Sequence, residues 1–338
     1  MRVWLGAGAV GLVVALLTAP MSAAAPQSSL PPATPVLQSL RCTPQRYEGI
    51  EYCTLGAIHV LRIDPKAAGV RFEAVLAEGY DREGDFGECR DVAIPSESAG
   101  PGCERRGRYP VEAVGHMARR YPGAVAAVNA DFFGDAYGPI GLTVKNGVRL
   151  DGRYGDHDEN EVRRGSLSIS AGGDVRIGIV PRESLPDQDE PWRWRPHPGD
   201  FFTTIGGTPL LIVGGERVDL HRQCLQEASI DFGGCPRWYK ACTRTFVVDA
   251  PACPAAYELR ARTAVGRMAD GRLLIVVAPE TPGLTLIGLV DVLLELGAVE
   301  ALNLDGGRSS QLWYDGRYRV TPERSVASGL LVFAEARR

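Results

Sequence analysis

An apolar run ends on a carboxylate at Ala301-Leu302-Asn303-Leu304-Asp305 and continues as Gly306-Gly307-Arg308-Ser309-Ser310. Burial of Leu302 and Leu304 would hold Asp305 rigidly at the end of a strand. Glycines accept backbone angles that other residues avoid and let a ligand approach the main chain closely. Ser309 and Ser310 add hydroxyls and N–H groups. Together these residues suit an oxygen-rich, anionic ligand. The same residues also make an ordinary turn after a buried strand, with Asp305 capping the N–H groups of Gly307 or Arg308.

The elements that would position this run are mostly strands. Residues 58–63 and 70–77 alternate, and residues 124–128 form a short buried run that leads into Asn129-Ala130-Asp131-Phe132-Phe133. Asn146-Gly147 sits between two alternating runs at 142–150, which predicts a hairpin. Gly172-Gly173 separates 166–170 from 175–180, and Asp270-Gly271 separates 262–266 from 273–278, in the same manner. Gly206-Gly207-Thr208-Pro209 precedes an apolar run at 210–213, and residues 328–333 make a last strand.

Helical spacing occurs in two places. Val111, Val114, Met117 and Ala118 follow Pro110, and Pro122-Gly123 ends that helix. Leu286, Leu289, Val290 and Leu293 trace a second apolar face, with Thr285 placed to cap it. No sustained alternation of strand and helix appears, which argues against a doubly wound sheet. The expected fold class is α+β. It is a strand-rich single domain with a mixed sheet, a few packed helices and disulfide-braced loops.

The chain has 338 residues and is 45% hydrophobic, enough for a sizeable core. A net charge of -4 gives no electrostatic argument for a nucleic-acid partner. Arg2, the apolar residues 3–17 and Ser22-Ala23-Ala24-Ala25 read as a signal peptide over 1–24. A proline-rich linker follows over 25–40, and residues 41–338 would form the folded domain. After cleavage no long apolar stretch remains to engage a membrane. The expected location is secreted or periplasmic.

Eight cysteines in an exported chain point to disulfides. Their proximity suggests local bridges Cys42–Cys53, Cys89–Cys103, Cys224–Cys235 and Cys242–Cys253. Zinc is disfavoured, because no C-x-x-C occurs and no histidine stands at ligand spacing.

Several motifs then agree in order: Asn129-Ala-Asp-Phe-Phe, Gly207-Thr-Pro-Leu-Leu, Arg262-Thr-Ala-Val-Gly, the helix beginning Gly283-Leu-Thr-Leu, and Leu304-Asp-Gly-Gly-Arg-Ser-Ser. Together they resemble the phosphodiester glycosidase family over roughly residues 58–333. That resemblance implies hydrolysis of a sugar-1-phosphodiester at its glycosidic bond. The substrate would be a glycan or glycosyl phosphodiester. Such a reaction needs a cation for the phosphate and a carboxylate near the sugar carbon.

Arg262 is the expected phosphate ligand, because a guanidinium binds phosphate bidentately and stays charged. Its alternative is a structural ion pair. Thr263 would donate a second hydrogen bond. Asp305 is the expected catalytic carboxylate, and Gly306, Gly307 and Ser309 would shape the pocket beside it. Asn129 matches a family position and could hydrogen-bond sugar hydroxyls or tie two loops together.

Asp131 stands where the family often has glycine, so no role carries over to it. Its chemistry makes it a candidate second carboxylate or ligand for a divalent cation, the one cofactor in view. Gly207 would allow close backbone approach. Arg308 departs from a family glycine and either adds charge to the site or points to solvent. Arg324 resembles another family position.

The leading expectation is an exported glycosidase acting on phosphodiester-linked sugars. The alternatives are a non-catalytic secreted glycan-binding or surface-assembly module and a metal-dependent phosphodiesterase that breaks a P–O bond.

Overall fold

Residues 273–278 are apolar at every position, and such a run needs cover on both faces of its strand. The computed structural model supplies it. It describes residues 39–79, 111–134, 138–139, 141–150, 165–179, 201–220 and 258–337, all within the unit Pro35–Arg338. The expected signal peptide, nearly all of the linker, the loop 80–108 and the cysteines of the three later pairs lie outside the described residues.

Strands are numbered in chain order. An eight-stranded sheet runs β1 (Leu40–Cys42), β2 (Ile50–Leu55), β3 (Ile58–Ile63), β16 (Leu273–Ala278), β15 (Arg262–Met268), β17 (Ala298–Asn303), β13 (Leu210–Val213), β14 (Glu216–Arg217). A five-stranded sheet runs β19 (Arg317–Val320), β18 (Leu312–Tyr314), β5 (Ala124–Asn129), β20 (Ser328–Phe333), β4 (Arg71–Leu76). A second five-stranded sheet runs β11 (Val175–Ile179), β10 (Gly165–Ser170), β12 (Phe201–Gly207), β8 (Val144–Lys145), β9 (Val148–Arg149). A short pair, β6 (Phe133–Gly134) and β7 (Gly138–Pro139), stands apart. The α-helices among the described residues are α1 (Val114–Arg120) and α2 (Leu286–Glu295).

Period-two alternation sorts the apolar residues into layers. Leu273 and Ile275 of β16 join Leu61, Val265 and Leu302 in a core shared with Phe72, Val128 and Leu330 of the facing sheet and with Leu167 and Ile205. Leu274 and Val276 point the other way and pack with Leu286, Leu289 and Leu293 of α2. On the far side of the facing sheet, Val114, Met117 and Ala118 of α1 cover Val75, Ala127 and Leu331. Two sheets thus pack face to face, with one helix outside each.

The molecule is mostly β, which corrects the α+β expectation. The expected mixed sheet is corrected too: every pairing among the described strands is antiparallel. The reason lies in one connection. The segment carrying α2 is long enough to join parallel neighbours. It joins β16 to β17, and β15 lies between them.

Local signals behave as the sequence suggests. Thr285 Oγ1 accepts the Gly288 N–H at 2.9 Å and caps α2. Asn146 and Gly147 adopt φ of 50° and 76° in the turn joining β8 to β9. Cys42 and Cys53 face each other in register on β1 and β2 and form a disulfide.

Candidate functional site

The site forms where the ends of β17 and β5 meet. Past β17, the Leu304 N–H donates to Thr263 O at 2.9 Å, so the chain follows β15 for one more residue. The Asp305 N–H then donates across to Ala130 O at 3.1 Å, just beyond β5. Asp305 therefore sits at the seam between the two sheets.

Asn129 closes the seam from within. Its Nδ2 donates to Asp305 O at 2.7 Å, and its Oδ1 accepts from Gln311 N at 3.1 Å and Thr263 Oγ1 at 2.9 Å. Thr263 Oγ1 also lies 3.0 Å from Ser310 Oγ. A hydroxyl has one proton, so Ser310 donates in that second contact. Asn129 and Thr263 are both fully buried, and these contacts hold the strand ends in place.

Gly307 has a φ of +56°, which favours glycine. It starts a single 3₁₀ turn over Gly307–Ser309, anchored by the Gly307 N–H on Ala261 O at 2.8 Å. The turn leaves Arg308 exposed and buries Ser309.

Asp305 is 4% exposed. Its Oδ2 accepts from Arg324 Nη2 at 3.0 Å, and Arg324 Nε donates to Ser309 Oγ at 2.6 Å. The Arg324 guanidinium lies 4.9 Å from the centre of the Phe133 ring. Its side chain is 44% exposed against 6% for Asp305, so Arg324 joins a buried carboxylate to solvent. Burial pushes the Asp305 carboxyl up to about 6; Ser309 and Arg324 pull against that rise, and the charge of Asp131 adds to it.

Arg262 faces elsewhere. Its Nε donates to Leu284 O at 3.0 Å and its Nη2 to Glu258 O at 2.8 Å. Burial lowers its guanidinium to about 10, with Glu258 drawing it back up, so it remains a cation at neutral pH. It braces the approach to β15 behind Gly306.

Asp131 is 2% exposed. Its Oδ1 accepts the Phe132 N–H at 2.7 Å, and its Oδ2 accepts that of Gly141. A Cβ on Gly207 would stand 2.5 Å from Asn303 O. That glycine admits a neighbouring strand end.

Gln311 is a site residue that the sequence reading does not single out. Its Oε1 accepts the Val114 N–H at 2.9 Å, at the first residue of α1. Its Nε2 donates to Ser309 O at 3.2 Å and Arg324 O at 3.3 Å. One signal points to such a residue: Ala113 precedes α1 and has no side chain to cap it, so a distant group must serve. Among the described residues, Cys42, Glu51 and Cys53 are the one cluster of three ligand-type side chains within mutual reach. Their two sulfurs are bonded to each other.

A family model described as phosphodiester glycosidase matches residues 122–333. That span holds Asn129, Asp131, Arg262, Asp305 and Arg324. No curated protein sequence matches the chain. Among solved structures, the chain is similar to the zebrafish N-acetylglucosamine-1-phosphodiester alpha-N-acetylglucosaminidase catalytic domain, auto-inhibited by its pro-peptide. The identity is 16% and the TM-score 0.54, over 91% of this chain and 85% of that one. A protein of Burkholderia pseudomallei provisionally named as exported is 16% identical, with a TM-score of 0.53 over 84% of this chain and 74% of that one. A hypothetical protein from Synechocystis is 14% identical, with a TM-score of 0.51 over 88% of this chain and 62% of that one. At these identities the structural likeness carries the fold.

Proposed function

The chain belongs to the phosphodiester glycosidase family, and on that premise we propose that it is an exported hydrolase cleaving the glycosidic bond of a sugar-1-phosphodiester. The substrate is a polysaccharide or cell-surface glycan. The observation that carries this reading is the contact at 3.0 Å between buried Asp305 and half-exposed Arg324. It sets a carboxylate beside a solvent-facing cation at the end of a rigid strand. The zebrafish relative, by its name, acts on a phosphodiester of N-acetylglucosamine.

The chemistry assigns each group a task. Water attacks the anomeric carbon and gives a proton to Asp305. A new C–O bond forms to that carbon while its bond to the phosphate oxygen breaks. The electron pair leaves with the phosphomonoester, a leaving group stable enough to need little help from an acid. Arg324 holds the phosphate through its free edge. We assign the phosphate to Arg324 in preference to Arg262, whose Nε and Nη2 meet the carbonyls of Leu284 and Glu258. Asn129 and Thr263 hold the strand ends that aim Asp305. Export is supported by the signal-like residues 1–24 and by the Cys42–Cys53 disulfide.

Product analysis in oxygen-labelled water tests the reading. Purified protein acting on a sugar-1-phosphodiester should release free sugar that carries the label and an unlabelled phosphomonoester. Label in the phosphate would show P–O cleavage and overturn it. Saturable glycan binding with no turnover across a broad substrate panel would favour a binding module instead. Asp305→Asn should abolish turnover and leave the fold intact.

A further inference from the structure

The steps above do not use Asp131, yet two separate segments are shaped around its carboxylate. Gly206 lies on β12, and Gly141 lies between β7 and β8. A Cβ on Gly141 would stand 2.5 Å from Asp131 Oδ2, and one on Gly206 would stand 2.6 Å from the same oxygen. Real Cβ atoms do not approach so closely, and the carboxylate is buried with little room to give. The Gly141 N–H and the Phe132 N–H bond one oxygen each.

The seat adjoins the reacting group. Asp131 follows Ala130, whose carbonyl receives the Asp305 N–H at 3.1 Å. Two buried carboxylates are therefore held at the adjoining ends of β5 and β17. In such a place one negative charge makes its neighbour hold a proton more tightly. Among the described residues, the other groups around Asp305 are few. Arg324 and Ser309 bond its carboxylate or one another. Arg308 lies on the same turn and is exposed. Arg262 passes behind Gly306 with its Nε and Nη2 on backbone carbonyls.

We propose that Asp131 is a positioning residue whose carboxylate, seated by Gly141 and Gly206, adds to the basicity that burial gives Asp305. This deepens the glycosidase reading and rests on it. A stronger base takes the proton of the attacking water more readily at neutral pH, provided it stays mostly ionised. The two carboxylates divide the work: backbone donors fix one, and the other is left to bind and release a proton.

The full chain, Asp131→Asn and Gly206→Ala are compared on a synthetic sugar-1-phosphodiester. The acid limb of kcat/KM against pH should move to lower pH by about half a unit or more in Asp131→Asn. The plateau should fall several-fold with KM little changed. Gly206→Ala keeps the carboxylate and displaces it, so its limb should move away from that of the parent. Carbon-13 titration of the Asp305 carboxyl reads the same property without turnover, and its midpoint should fall in Asp131→Asn and shift in Gly206→Ala. An unmoved limb and an unmoved titration midpoint would overturn the proposal and leave Asp131 a purely structural residue. If Asp131→Asn does not fold, Gly206→Ala decides by the same two readouts. If the unaltered chain releases no sugar, the glycosidase reading fails, and the carbon-13 midpoints still decide whether Asp131 acts on Asp305.

Discussion

Asp305 is a carboxyl that folding makes less acidic. Its folded value near 6 stands above its ordinary 3.8, chiefly because it is buried. A raised value means that the folded state binds the proton more strongly than the unfolded chain does. Stability from this group is therefore complete below about 3.8 and is lost as pH rises through about 6. Above that range the ionised group costs on the order of 3 kcal/mol. Asp305→Asn cannot ionise, so it should unfold at higher denaturant than the parent at pH 8, by up to that amount. The advantage should vanish near pH 4. An equal difference at both pH values would contradict the burial argument. The residue type and its place after an apolar run made Asp305 legible in the sequence. The two arginines were less so. Arg262 and Arg324 offer the same guanidinium, and what separates them is the partner that folding brings to each. Leu284 and Glu258 present carbonyls to one, while Asp305 and Ser309 present side chains to the other.

The element that links structure to site is α1, through Gln311. One side chain caps the helix at Val114 and holds the carbonyls of Ser309 and Arg324. Gln311→Leu keeps the size and removes every one of those bonds, leaving a buried N–H unpaired. We expect a loss of about 1–3 kcal/mol in chemical denaturation. KM for a phosphodiester should rise more than kcat falls, because Arg324 loses its support. A loss of stability with unchanged KM would show that the tie does not reach the site. Hairpins with apolar flanks were legible from their turns, as at Asn146-Gly147. Asp315-Gly316 joins β18 to β19 with φ of 53° and 79° in the same manner. Its flanks are Trp313, Tyr314, Arg317 and Tyr318, whose polar atoms disguise a buried strand, β18, and a half-buried one, β19. Gln311 left no trace in periodicity, since its partners lie as far as 197 positions away.

Across the whole molecule, antiparallel strands keep the disulfide-bridged edge and the site apart. The Cys42–Cys53 bridge pins β1, the outermost strand of the eight-stranded sheet. Between β1 and the site-bearing β17 stand β2, β3, β16 and β15. The bridge spans a sequence separation of 11, and loop closure of that size restrains the unfolded chain by about 3 kcal/mol. Its cost when lost should therefore fall on stability and not on chemistry. Paired Cys42→Ser and Cys53→Ser changes should lower the thermal midpoint while kcat/KM below that midpoint stays within about twofold, because an edge strand can open locally while the core strands between it and β17 stay formed. A parallel fall in kcat/KM at temperatures where the variant is still folded would mean that β1 helps to shape the seam, and the site would then extend further than Asp305 and its neighbours.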